Sequence, residues 1–302
     1  MKFKQLETFL GVADQQSFTM AAYQLNISQP AVSFQIKALE DALDVTLFKR
    51  EDKKMVLTDA GQLLYPEAKQ IFMHYQKIKA ELDNLKGLKK GHVVVGAGQI
   101  PGEYLLPLLI GAFKKSYPGI RITLKMSGSG QVERWIKERE VDLGITDVPV
   151  DSEDIECFTW LQDRLILIVS PTHPWVNSGT IKISDLKSEK MIFCEQGSGT
   201  RRAVEQKLAE YNIETGEIAA GLELGSTRAV ITAVKAGLGV SIVSRFAVRE
   251  SLKLGLVREV RVAGFDLWCN LYLVRHTQRM GGFAIDAFTS FINNRDILNQ
   301  LS

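Results

Sequence analysis

Two sets of residues in this chain have the types and spacing to do chemistry. The first runs from Ser28 to Lys37, SQPAVSFQIK. Ser28 can cap a helix, and Pro30 then falls in its first turn, where a missing N–H does no harm. Gln29, Ser33 and Lys37 follow at intervals of one helical turn, with Phe34 beside them. Small polar side chains on the first exposed turn are what a helix carries when its N-terminal end must enter a DNA major groove. The second set lies in four loops rich in glycine and hydroxyls: Gly96–Glu103, Ser127–Arg134, Glu195–Arg202 and Gly225–Val230. Each follows an apolar run and precedes a helical pattern. Helix N-termini offer free N–H groups and partial positive charge, so such loops suit anions. Ser127, Ser129, Ser198 and Thr200 add hydroxyl donors without bulk. Read singly, each loop is better explained as a capped turn; read together, they favour a cleft between lobes.

These residues need elements to hold them. Phe3, Leu6, Phe9 and Leu10 recur at helical spacing and predict a helix over 4–14. Ser17 caps a second helix to Leu25, with Met20, Ala21, Ala22 and Leu25 inward. The third helix turns Ala31, Val32, Ile36, Leu39 and Leu43 to the core. That leaves Gln29, Ser33, Phe34, Gln35 and Lys37 on its other faces. Val45–Thr58 reads as a hairpin with Arg50, Lys53 and Lys54 at its charged turn. Beside a helix-turn-helix these cations become phosphate contacts; alone they would be a solvated surface. A long helix then runs from 58 to about 88. Leu64, Ala68, Ile71, Tyr75, Ile78, Leu82 and Leu85 alternate at four and three, the seam of a coiled coil. Pro66 predicts a bend or a loose first turn. The charged, glycine-bearing stretch 86–92 marks a domain boundary. Beyond it strands and helices alternate, predicting largely parallel sheets covered on both faces.

The bulk numbers exclude other classes. A length of 302 residues suggests about two domains, and the formal charge of +2 does not itself announce nucleic acid. DNA binding must come from local charge placement. No apolar run reaches about eighteen residues, and the first ten residues lack a secretory core, so a cytoplasmic protein that neither spans nor contacts a membrane is expected. Cys157, Cys194 and Cys269 are widely spaced, which fits buried thiols in a reducing compartment, with a redox sensor as the alternative. His74, His92, His173 and His276 are isolated. No metal, cofactor or catalytic set is expected, hence no enzyme. A dinucleotide fingerprint would need glycine where Pro101 stands, and no loop supplies the Gly-Lys-Ser/Thr of a P-loop.

The block FxxLETFLxVAxxxSFTxAAxxLxISQPAVSxQIKxLEDALxVxLFxR, with LTxAG at Leu57–Gly61, resembles the LysR-type transcriptional regulators. Looser similarity continues through Tyr104–Phe113, SYPGI, DLGI at Asp142–Ile145, GSGTR at Gly197–Arg201 and AGLGVSIVS at Ala236–Ser244. The resemblance implies an α/β protein with an all-α head: a winged helix-turn-helix DNA-binding domain (1–60), a linker and dimerisation helix (58–90), and a two-lobed periplasmic-binding-protein-like effector domain (91–302). Lobe one would take about 92–161 and 268–302, lobe two 162–267. It implies a sequence-specific regulator bound to double-stranded promoter DNA as a homodimer or homotetramer, working with RNA polymerase and modulated by a small, anionic metabolite between the lobes. By position, Ser28, Gln29, Pro30 and Ser33 match the recognition helix. Phe34 departs from the polar residue common there and can pack on a thymine methyl or close the core. Lys37, Arg50, Lys53 and Lys54 would meet phosphates. Gln99, Ile100, Ser127, Ser129, Thr146, Gly197, Ser198, Gly199, Thr200, Ser226 and Thr227 match effector loops. Arg201 would pair with a ligand anion or bridge on the surface. The GSGTR loop resembles a branch holding sulfur, amino-acid and carbon-fixation regulators and does not choose among them.

Overall fold

Leu6, Phe9 and Val12 sit one turn apart because their helix has one face to bury, and they form the centre of the first unit. In the computed structural model the described residues are 1–51, 54–85, 90–196, 198–213, 220–278 and 281–299; the side chains of 76, 77, 80, 81, 83–85, 220, 221, 295 and 299 are not among those described. The chain forms two compact units, Met1–Gly87 and Leu88–Ser302.

The first unit packs α1 (Phe3–Gln15), α2 (Phe18–Leu25) and α3 (Gln29–Leu43), followed by a hairpin of β1 (Phe48–Glu51) and β2 (Lys54–Leu57) and the long α4 (Asp59–Leu85). Ser17 and Ser28 each accept an N–H three residues on, from Met20 and Ala31, at 3.3 Å. Their hydroxyls thus satisfy helix donors that would otherwise be orphaned. Glu40 of α3 accepts the Leu47 N–H at 2.7 Å, which ties the hairpin to the third helix. Thr58 donates to the Thr46 carbonyl at 2.6 Å and accepts the Gly61 N–H at 3.1 Å, capping α4. A Cβ on Gly61 would stand 2.3 Å from the Leu47 carbonyl oxygen. Only glycine lets α4 start this close to the hairpin, which gives the LTxAG motif its physical reason. Two residues expected in the core lie outside it: Met20 and Leu43 are exposed.

The second unit begins with β3 (Gly91–Ala97), α5 (Leu106–Ser116), β4 (Ile120–Met126), α6 (Ser129–Lys137) and β5 (Leu143–Thr146). The strand β6 (Ile155–Val169) then leads to α7 (Trp175–Ser178), β7 (Thr180–Ile181), β8 (Met191–Cys194), α8 (Gly199–Ala209), β9 (Ala220–Leu224), α9 (Thr227–Lys235), β10 (Ser241–Ser244), α10 (Arg245–Lys253) and β11 (Arg258–Val262). The return strand β12 (Leu267–His276), α11 (Phe283–Ile292) and α12 (Arg295–Asn299) close the chain. The last two helices are separated at Asn294, whose side chain accepts the Asp296 N–H.

Two lobes result. In the first, β3 pairs in parallel with β4 and β5. Phe113 and Phe288 bury against one face of that sheet, Val132 and Ile136 against the other. In the second, Leu167, Val204 and Ile242 centre one core cluster and Ile168, Val230 and Val243 another. The expectation of largely parallel sheets holds only in part. β6 and β12 pair antiparallel over ten residues each, and β5, β10 and β11 join them antiparallel. Alternation of strand and helix predicts parallel pairing only while the chain stays in one lobe. Two long strands that cross between lobes run opposite ways, and every strand beside them takes its direction from that.

Candidate functional site

On α3, Val32, Ile36 and Leu39 are buried, so the opposite face is fixed outward. Ser28, Gln29, Pro30 and Lys37 are exposed, and Ser33 is half-buried. Gln29 donates to Ser33 Oγ at 2.9 Å, so the pair forms one polar surface at the helix start. Phe34 is 75% exposed, which excludes the core-closing alternative. Gln35 is a correction: it accepts from the buried Thr8 hydroxyl at 2.5 Å and serves the α1–α3 contact. Arg50 and Lys54 are exposed on the hairpin strands, while Lys53 lies outside the described residues. Tyr23, on α2, is strongly exposed.

The 4-3 seam on α4 divides. Ala68 is fully buried in the first unit's own core, and Leu64 packs against that core. Phe3 of α1 stacks on Phe72 with ring centroids 5.6 Å apart and meets Tyr75 in a tilted contact at 4.3 Å. The upper seam therefore serves its own unit. Ile71, Ile78 and Leu82 remain exposed, the latter two at 58% and 53%. The Leu85 side chain is outside the described residues.

In the second unit the hydroxyl loops converge unevenly. Ser129 donates to Asp147 Oδ1 at 2.5 Å, and the Gly199 N–H donates to Asp147 Oδ2 at 3.2 Å. Thr146 is buried and donates its hydroxyl proton to the Val148 carbonyl, so it shapes the strand end. Ser226 accepts the Ala229 N–H and caps α9. Thr227 is buried against the Cys194 thiol, whose pKa burial pushes up and the Thr227 and Ser198 hydroxyls pull down. Thr200 and Ile100 are buried, while Gln99, Ser127 and Ser198 are half-buried and Gly197 lies outside the described residues. Arg201 is committed elsewhere. It donates to Glu205 at 2.7 Å, to Glu223 at 2.6 Å and to the Cys194 carbonyl at 3.0 Å, and lies over the Phe193 ring. Hydrogen bonds to Glu205 and then Glu223 raise its pKa. These contacts form the bridge that was one of its two expected roles.

Sequence reasoning passed over three further residues beside these loops. Tyr104, before α5, is held up to about 12 by burial and then by Glu103, with Arg228 of the second lobe acting the other way. Asp147 stands directly after β5, where open α/β sheets place ligand contacts, and that position was the available signal. Cys269 is pushed up to about 12 by burial, then by Asp147 and Asp163. A thiol held protonated is a poor nucleophile, so nothing here favours a redox sensor at Cys269.

Asp163 lies on β6 opposite Cys269 and is only 2% exposed. One carboxylate oxygen has no hydrogen-bond partner among the described residues. Burial lifts its pKa from 3.8 to about 7, against the Ser244 hydroxyl and the N–H groups of Phe246 and Arg245. The folded state therefore binds a proton that the unfolded state has already lost between pH ~4 and ~7. Stability falls as pH rises through that window, a cost on the order of 4 kcal/mol above it. Asp163→Asn stays neutral and should flatten this slope: melting temperature rises by several degrees at pH 8 and changes little at pH 5. Equal shifts at both pH values in a thermal melt would contradict this account.

Residues 3–62 match the model of bacterial regulatory helix-turn-helix proteins of the lysR family, and 86–296 match the LysR substrate binding domain. A probable RuBisCO transcriptional regulator of Porphyra purpurea is 32% identical over 291 residues, covering 95% of this chain and 92% of the relative. One of Trichormus variabilis is 33% identical over 291 residues, covering 95% and 86%. The crystal structure of full-length CbnR complexed with its target DNA superposes with a TM-score of 0.71 at 21% identity, covering 97% of this chain and 99% of that one. A full-length OxyR variant from Pseudomonas aeruginosa also gives 0.71 at 21%, covering 98% and 96%.

Proposed function

Because the chain belongs to the LysR family of bacterial transcriptional regulators, we propose that it reads a palindromic promoter through paired α3 helices and answers to a small anionic metabolite held between its lobes. The observation that carries this reading is the outward face of α3, with Gln29, Ser33 and Phe34 around a helix start whose other side is anchored in the core. Gln29 and Ser33 meet base edges, and Phe34 packs on a thymine methyl. Lys37, Arg50, Lys53 and Lys54 meet phosphates. Ile71, Ile78, Leu82 and Leu85 join two copies along α4, and dimers pair into a tetramer that meets RNA polymerase in the cytoplasm. The DNA-binding domain takes 1–60, the linker helix 58–90 and the effector domain 91–302, with lobe one over 92–161 and 268–302 and lobe two over 162–267. The effector loops supply Gln99, Ile100, Ser127, Ser129, Ser198 to Thr200 and Ser226 to Thr227.

The test is a mobility shift at low salt on the DNA upstream of the protein's own gene. The relatives' names make a RuBisCO promoter the second fragment to try. No retarded band on either fragment would count heavily against the reading. Phosphate contacts release counterions, so affinity should fall steeply with salt. Lys37→Ala, Arg50→Ala and Lys54→Ala should each weaken binding to all sequences alike and reduce the slope of log K against log salt by about one. A wild-type slope retained in all three variants would remove these side chains from the interface.

A further inference from the structure

Asp147 sits between the first residues of two helices, one from each lobe. Its Oδ1 accepts the Ser129 hydroxyl at 2.5 Å, at the first position of α6. Its Oδ2 accepts the Gly199 N–H at 3.2 Å, at the first position of α8. The fit on the α8 side is close. A Cβ on Gly199 would lie 2.5 Å from Oδ2 and 2.6 Å from Cγ, so glycine is what lets the carboxylate in. Neither donor belongs to Asp147's own strand end, and the hydrogen bond to Gly199 spans 52 residues of chain. A side-chain anion thus occupies the place where both helices present their positive ends.

We propose that Asp147 is a latch: its carboxylate pins α6 to α8 across the cleft, and an anionic effector enters only by displacing it. The second half rests on the cleft being the effector's seat, as argued above. The physical consequence is competition within one molecule. A tethered carboxylate is present at an effective concentration in the millimolar range, so a free anion of ordinary affinity is disfavoured until it brings further contacts. Displacement frees the first residue of α8 from the first lobe, which couples occupancy of the cleft to the relation between the lobes.

The experiment uses the full chain as wild type, Asp147→Ala and Asp147→Asn. Hydrogen exchange at the Gly199 amide reads the latch directly, and calorimetric titration with inorganic phosphate reads the competition. In Asp147→Ala the Gly199 amide should exchange at least tenfold faster than in wild type. Asp147→Asn, which keeps one acceptor oxygen and loses the charge, should be intermediate. Phosphate should bind both variants at least tenfold more tightly than wild type. Unchanged exchange at Gly199 in both variants overturns the latch, whatever phosphate does. Faster exchange without any gain in phosphate binding leaves the contact standing and overturns the anion seat.

Discussion

Replacing Gln29 and Ser33 together by alanine is expected to abolish sequence-selective DNA binding while leaving the fold intact. A well-placed side-chain contact to a base edge is worth about 1–3 kcal/mol of discrimination, so losing two costs on the order of 30-fold to more than 10⁴-fold per recognition helix. A dimer carries the loss twice. The stability cost should be small, because Gln29 is exposed, Ser33 is half-buried and their hydrogen bond to each other faces solvent; surface changes of this kind usually stay within about 0.5 kcal/mol. The Ser28 cap and the buried Val32, Ile36 and Leu39 are untouched. Fluorescence anisotropy on specific and scrambled duplexes at one salt concentration, beside a thermal melt, separates the two effects. Specific affinity within about threefold of wild type would sink the recognition-helix assignment. A loss of equal size on scrambled DNA would move these residues to the phosphate class.

The second large effect is expected on α4. Ile78→Asp with Leu82→Asp puts two charges into the part of the seam that its own unit leaves bare. An unpaired carboxylate held in an apolar contact costs several kcal/mol, enough to separate two helices that have only a short stripe to share. Sedimentation should shift from dimer or tetramer to monomer. Affinity for a two-half-site duplex should fall by roughly 100-fold or more, since the second half-site is no longer reached by linkage. Because both side chains are exposed within one chain, the monomer's melting temperature should hardly move. A double variant that still sediments as wild type would show that assembly runs through another surface. The analogous change at Ala68 is a poor test, because that residue is fully buried in the first unit's own core and an aspartate there would unfold it.

The division at Ala68 shows where sequence reasoning loses its grip. A 4-3 repeat states that one helix face needs an apolar cover. It carries no information on whether the cover is another chain or the same chain's first helix. The core around Leu6 and Phe9 covers Leu64 and Ala68 and Phe3 reaches Tyr75, while Ile71 between them stays exposed, and only the packing reveals it. The same limit explains Arg201. The GSGTR loop marked a helix start correctly, yet Glu205 lies one turn along that helix and Glu223 arrives on β9, so Nε and Nη1 of the guanidinium are engaged within the second lobe. Thr146 and Gln35 fail as free polar groups for a similar reason: their partners are the Val148 carbonyl and the Thr8 hydroxyl, and nothing in local spacing announces either.

What the sequence determined by itself were features whose cause is short-range. Serine caps, helix periodicity, the hairpin and the glycine-bearing loops are set by neighbours within a few residues, and the exposed face of α3 follows from its buried one. The direction of strands beside the crossing pair, the split of the α4 seam and the carboxylate seated between Ser129 and Gly199 were decided only in the tertiary structure. Each of those depends on which distant groups share a space, and a donor's partner across 52 residues leaves no periodic trace in the chain.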